Sequence, residues 1–199
     1  MLTFAAAVFF LIITPGPGVL SAAGMGSGYG FRAGLRYLVG LFVGTNLVAI
    51  AVITGLGAIV LSVPWLRWIL MIASVGYLLY LAVRIATAGS RIAFVESTRA
   101  PGMGAGLLLQ AINPKAYAVN TTLFAGFPYA ADSYAFEVAS KLVITNAIWI
   151  PIHLAWLWAG ASLHRLALDE TTQRRINYAM AASMLAVVAL ALISGTRQT

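Results

Sequence analysis

The chain has 199 residues, 61% hydrophobic and 9% charged, with a mean hydropathy of +0.93. Soluble domains carry about 25% charged residues, so this composition excludes a solvated globule and indicates a polytopic membrane protein. Zero cysteines exclude disulfides, thiolate metal sites and cysteine nucleophiles. The net charge of +7 is scattered over short connectors, with no basic patch or arm for nucleic acid.

A span needs about 20 mostly apolar residues, which places spans near 2–24, 37–62, 65–86, 104–127, 137–161 and 178–195. The first charge is Arg32. No basic region precedes the first apolar run, which is therefore read as an uncleaved span and not a leader. That run is interrupted at Thr14-Pro15-Gly16-Pro17-Gly18. Two prolines and two glycines in five residues cannot continue a helix. Thr14 before Pro15 reads as a capping hydroxyl followed by proline at the first helical position. The glycine-rich stretch 24–34 does not make a G-x-G-x-x-G fingerprint, which rules out that nucleotide-binding reading.

The second span carries Gly40 and Gly44, spaced for close helix approach, followed by the polar residues Thr45 and Asn46. The third opens on Trp65, Arg67 and Trp68, the anchors expected at a membrane interface. A connector at 87–103 leads to the fourth span, which breaks at Asn113-Pro114-Lys115 and repeats the cap-plus-proline pattern. The fifth holds Asn146, Trp149 and His153 on one helix face, with Pro151 expected to kink it. The sixth is plain Ala, Leu, Val and Met.

Irregular backbone inside a membrane is tolerated only where protein or a water-filled cavity covers it. Paired breaks in corresponding halves point to a transporter's substrate site. The reading is therefore an all-α integral membrane protein, a single transporter domain over 1–199. Six transmembrane helices form two inverted three-helix repeats, about 1–90 and 100–199, with helices 1 and 4 broken. Eight basic residues, from Arg32 to Arg175, fall in connectors 1–2, 3–4 and 5–6, against Arg67, Lys141 and Arg197 on the other side. The positive-inside rule then puts both termini outside.

The Thr-Pro-Gly-Pro motif, the glycine-rich run through Gly44, Gly-Tyr-Leu-Leu-Tyr-Leu at 76–81 and Asn-Pro-Lys-Ala at 113–116 resemble the LysE-type amino-acid exporters. The branch they are most similar to is the homoserine/threonine-efflux (RhtB-like) one. The resemblance implies a bacterial inner-membrane exporter of amino acids, driven by proton exchange and oligomeric, with a dimer as one possibility. Many members carry an acid just after Thr-Pro-Gly-Pro, where this chain has Gly18, and some an aspartate near Asn46. The absence of both favours a small neutral amino acid, such as homoserine, threonine or leucine, over a basic substrate or a metal.

The expected substrate-binding residues are Thr14, Pro15, Gly16, Pro17, Gly18, Asn46, Asn113, Pro114 and Lys115. Each break starts a half-helix whose N-terminal amides and partial positive charge suit a carboxylate. Lys115, the one charge placed well inside a span, is expected to pair with that carboxylate or with a carbonyl freed by a break. The bland alternatives are proline kinks that only shape packing and a lysine that snorkels to the interface. Thr45, Asn46 and Asn120 are candidate pathway hydrogen-bonders, each alone as well explained by interhelical contact. His153 is the candidate proton-coupling group, against the reading of a satisfied helix–helix contact. No cofactor or metal site is expected. The partners expected are the amino-acid cargo, the lipid bilayer and further copies of the chain. The rival functions are transport of another small solute or a metal cation, an intramembrane enzyme (for which no nucleophile–base pair is found) and a scaffold without transport.

Overall fold

The computed structural model describes residues 1–14, 16–55, 63–86, 100–130 and 132–165, with a few positions between 171 and 182. Pro15, the end of the second expected span, most of the 87–103 connector and most of the sixth span lie outside the described residues. The described residues form helices, in the order α1 (Leu2–Ile13), α2 (Pro17–Ile53), α3 (Pro64–Ala86), α4 (Met103–Ile112), α5 (Pro114–Gly126) and α6 (Tyr134–Arg165). Both expected breaks are present. The first separates α1 from α2, and the second separates α4 from α5.

The expected loop around 25–36 is helical instead. α2 runs through it and reverses at one residue, Gly30, whose φ of 79° and ψ of 173° lie in a region essentially reserved for glycine. The neighbouring glycines serve contact, not turn formation. A Cβ on Gly26 would collide with the Leu157 carbonyl oxygen, one on Gly34 with the Leu157 side chain, and one on Gly160 with the Ala23 carbonyl oxygen. Close packing of α2 against α6 thus overrides the low helix propensity of glycine. Beyond Gly30, the arm 31–53 is about 35 Å long at 1.5 Å per residue, enough for a bilayer core of about 30 Å. Among the described residues, two helices, Pro17–Ile53 and Tyr134–Leu163, are long and apolar enough to cross a membrane.

The expected smooth face at Gly40 and Gly44 meets α4. A Cβ on Gly40 would strike the Met103 carbonyl oxygen, and one on Gly106 the Tyr37 carbonyl oxygen. α2 is the central element, packed most heavily on α6 and then on α4. The main core gathers Met25, Tyr37, Leu41, Leu81, Leu109 and Leu157. A second cluster, Phe4, Val8 and Leu123, packs α1 onto α5 and α6. Lys141, read from the sequence as a basic residue of the outer connectors, is only 1% exposed. It bonds Glu137 at 2.7 Å and the Phe124 carbonyl at 3.0 Å, beneath the rings of Phe4 and Tyr129. α6 continues as one helix through Pro151.

Candidate functional site

The first break ends α1 and starts α2 with different residues from those expected. The Thr14 hydroxyl donates back to the Phe10 carbonyl at 2.6 Å, closing the end of α1, so it does not cap α2. Gly16, extended at φ −161°, is the N-cap of α2, and Pro17 takes the first turn. A glycine has no side chain to cap with, and the first amide to bond back is that of Leu20, to the Gly16 carbonyl at 3.1 Å. The Gly18 and Val19 amides stand at the open, positive end of the helix.

The second break follows the expected pattern. Asn113 is the N-cap of α5, its side-chain oxygen accepting the Lys115 backbone amide at 3.1 Å, and Pro114 occupies the first turn. The Lys115 side chain, half-buried, then crosses to the first break. Its Nζ donates to the Thr14 carbonyl at 3.0 Å. Any Cβ at position 16 would lie 2.8 Å from that Nζ. The two breaks therefore meet, and a cation from one sits on the carbonyl end of the helix entering the other, where a positive charge is favoured.

A chain of amides runs inward from the second break. Asn113 donates to Gln110 at 3.0 Å, and Gln110 donates to the Thr45 hydroxyl. Both breaks and this chain border one cavity of about 70 Å³. That space suits several waters or one small solute. Apolar side chains such as Leu11, Val119 and Leu123 make up much of its wall. Lys115 and His153 are the titratable side chains in the lining.

Two lining residues carry buried atoms without a hydrogen-bond partner, the Asn120 Oδ1 and the Thr145 Oγ1. The residues are 4% and 5% exposed. Asn120 Nδ2 is committed to the Ala116 carbonyl at 2.8 Å. His153, also 4% exposed, stacks on Trp149 with centroids 3.7 Å apart. Its Nδ1 lies 3.0 Å from the Trp149 carbonyl oxygen. A carbonyl only accepts, so Nδ1 carries the proton and Nε2 presents a lone pair. That Nε2 is 3.4 Å from where a Cβ on Gly18 would lie.

Of the residues singled out in the sequence, Thr14, Gly16, Pro17, Gly18, Thr45, Asn113, Lys115, Asn120, Trp149 and His153 line this cavity. Pro114 shapes the second break from outside the lining, and Pro15 is outside the described residues. Asn46 also stands outside the lining: it exchanges hydrogen bonds with Asn146, at 2.9 and 3.1 Å, joining α2 to α6. Gln110 and Thr145 were not singled out. Gln110 sits in an apolar run whose helical spacing gives no hint of its partner. Thr145 had a signal: Thr45-Asn46 recurs as Thr145-Asn146, 100 positions on. The hydroxyl of the first copy accepts from Gln110, and that of the second has no partner.

The arrangement offers an anion a helix N-terminus beside an ammonium. Neither the curated proteins nor the solved structures give a match to this chain. A family model, the LysE type translocator, matches residues 9–196. With broken helices, a small cavity between them and a family match over nearly its full length, this chain belongs to the LysE type translocator family of membrane transporters.

Proposed function

We propose that this protein exports small neutral amino acids, such as homoserine, threonine or leucine, across the bacterial inner membrane by alternating access. The observation that carries the reading is the meeting of the two breaks. The Lys115 ammonium and the uncapped α2 N-terminus open on the same small cavity. A carboxylate at this place finds a charge and backbone N–H donors. No carboxylate stands among the residues that line the cavity to favour a cationic cargo.

The proposed topology is six spans in two inverted halves, with both termini outside and several copies assembled in the bilayer. The support for the halves is the recurrence of Thr14-Pro15 as Asn113-Pro114, 99 positions on, and of Thr45-Asn46 as Thr145-Asn146. The reciprocal amide pair between the copies is what a two-fold axis passing between Asn46 and Asn146 requires. The burial of Lys141 removes one of the basic residues counted on the outer side and sharpens the charge bias. His153 is the proposed proton-coupling group, because its Nε2 lone pair faces the cavity beside Gly18.

Counterflow in proteoliposomes tests the reading. Vesicles preloaded with neutral, basic or acidic amino acids are expected to take up labelled threonine only against the neutral set. An inward or outward pH gradient is expected to change that rate, and His153→Gln to remove the change. Absence of exchange in vesicles holding folded protein would overturn the cargo assignment.

A further inference from the structure

The wall of the cavity is divided by chemistry, and the division follows the length of α5. Its charged end lies at the breaks, where Lys115 rests on the Thr14 carbonyl beside the open N-terminus of α2. His153 Nε2 belongs to the same end, since it stands against Gly18 in the first turn of that helix. Val119 and Leu123 follow Lys115 at intervals of four on one face of α5. Val119 is thus about 6 Å further along the helix and Leu123 about 12 Å. Leu11 and Ile12, in the last turn of α1, border the cavity with them. All four belong to one apolar cluster, in which Leu11, Ile12 and Val119 are half-buried and pack on the buried set Phe4, Val8 and Leu123.

The neutral polar groups of the lining have little left to offer a cargo side chain. Gln110 accepts from Asn113 through its oxygen and donates to Thr45 through its nitrogen. The Asn113 oxygen is taken by the Lys115 amide. The Asn120 nitrogen is held by the Ala116 carbonyl, and Asn120 Oδ1 and Thr145 Oγ1 have no open surface. Position 11 is 99 before Gln110, the interval that relates Thr14 to Asn113, and it holds a leucine where position 110 has an amide. A hydroxyl carried onto the α1–α5 side of the cavity would give up its bonds to water and find none in return, whereas a methyl group loses nothing.

We infer that Leu11, Ile12, Val119 and Leu123 form the specificity-determining wall, which selects cargo with an aliphatic side chain over its hydroxylated isostere. This deepens the export reading and rests on it for the carboxylate at Lys115. With that carboxylate at the breaks, the apolar wall begins one turn further along α5, within reach of a short aliphatic side chain. Of the cargoes named above, leucine fits the wall, and threonine and homoserine are carried with a weaker hold.

Two matched pairs test the wall, norvaline against homoserine and valine against threonine, because each pair differs only by a methyl group in place of a hydroxyl. With full-length protein in proteoliposomes, the methyl member is expected to half-saturate counterflow at a concentration about ten- to a hundredfold lower. Leu11→Gln gives the wall an amide, and Val119→Thr gives it a hydroxyl at nearly constant volume. Each is expected to bring that ratio toward one. Equal half-saturation within both pairs, preference for the hydroxyl member, or a wild-type ratio in both folded variants would overturn the wall. The same four compounds are added to the protein in detergent, with thermal unfolding as the readout. If none of the four exchanges, the export reading falls and binding alone judges the wall. A larger rise in unfolding temperature with norvaline and valine than with their partners upholds it, and equal rises or none overturn it.

Discussion

At Gly16 the missing Cβ is what lets Lys115 reach the Thr14 carbonyl, and two substitutions separate this contact from the fold. Lys115→Ala is expected to cut transport at least tenfold with membrane insertion intact, measured as counterflow at equal protein density. Gly16→Ala should do nearly the same by a different route. Its backbone is extended and accepts any residue, and the atom in the way is the flexible tip of a lysine. The variant should therefore fold with the ammonium pushed off the Thr14 carbonyl. Unchanged transport in Gly16→Ala would show that the contact is packing alone. Proline and glycine chemistry made both breaks legible in the sequence, and Asn113 caps α5 as its type predicts. The role of Thr14 was not legible. Its hydroxyl serves the preceding helix because α2 starts two residues later than the first proline suggests, and local patterning does not choose between two prolines.

Two structural features belong to whole elements. Gly30 lets the two arms of α2 join through one residue, and any side chain there meets a backbone conformation that L-residues rarely adopt. Gly30→Ala is expected to cost about 1–3 kcal/mol, seen as a lower unfolding temperature in detergent, with no change of cargo preference. The N-terminal end of α6 holds the pair of buried Lys141 and partly exposed Glu137, with Glu137 also accepting the Tyr129 and Ala130 amides at 2.9 and 2.8 Å. Glu137→Gln leaves the buried Lys141 ammonium without its anion, with the Phe124 carbonyl as its remaining acceptor, and is expected to lower the unfolding temperature. The pair Glu137→Leu with Lys141→Met should recover most of that loss, as thermal unfolding of the three proteins would show. The sequence reading treated glycines 24–34 as a loop because composition alone cannot tell a turn from a tight helix contact. The partner surface, Leu157 to Gly160 on α6, lies more than 120 positions away.

On the scale of the whole molecule, the Asn46–Asn146 pair ties the second arm of α2 to α6 side chain to side chain. Single changes to leucine strand one amide, and the double change strands none. The double mutant should therefore be more stable than the two single losses added, with a coupling of about 0.6–1.7 kcal/mol. A coupling of zero would mean the two amides find other partners. Class and breaks could be read from composition and from proline, but the cavity could not. Its wall is assembled from α1, α2, α4, α5 and α6. Gln110 and Thr145 matter through neighbours that no local window contains. The repeated Thr-Asn dipeptide was visible and acquires meaning only once the two copies are seen to face each other.

On the proposed export reading, the Lys115–Thr14 bond also sets a ceiling on how tightly cargo can be held. The ammonium rests on a carbonyl, so a carboxylate that took that place would gain only the difference between the two acceptors. When cargo leaves, the carbonyl returns and repays part of the loss. Such a carrier trades affinity for turnover: it suits discharge from a compartment where the solute is plentiful, and it is a poor scavenger where the solute is scarce.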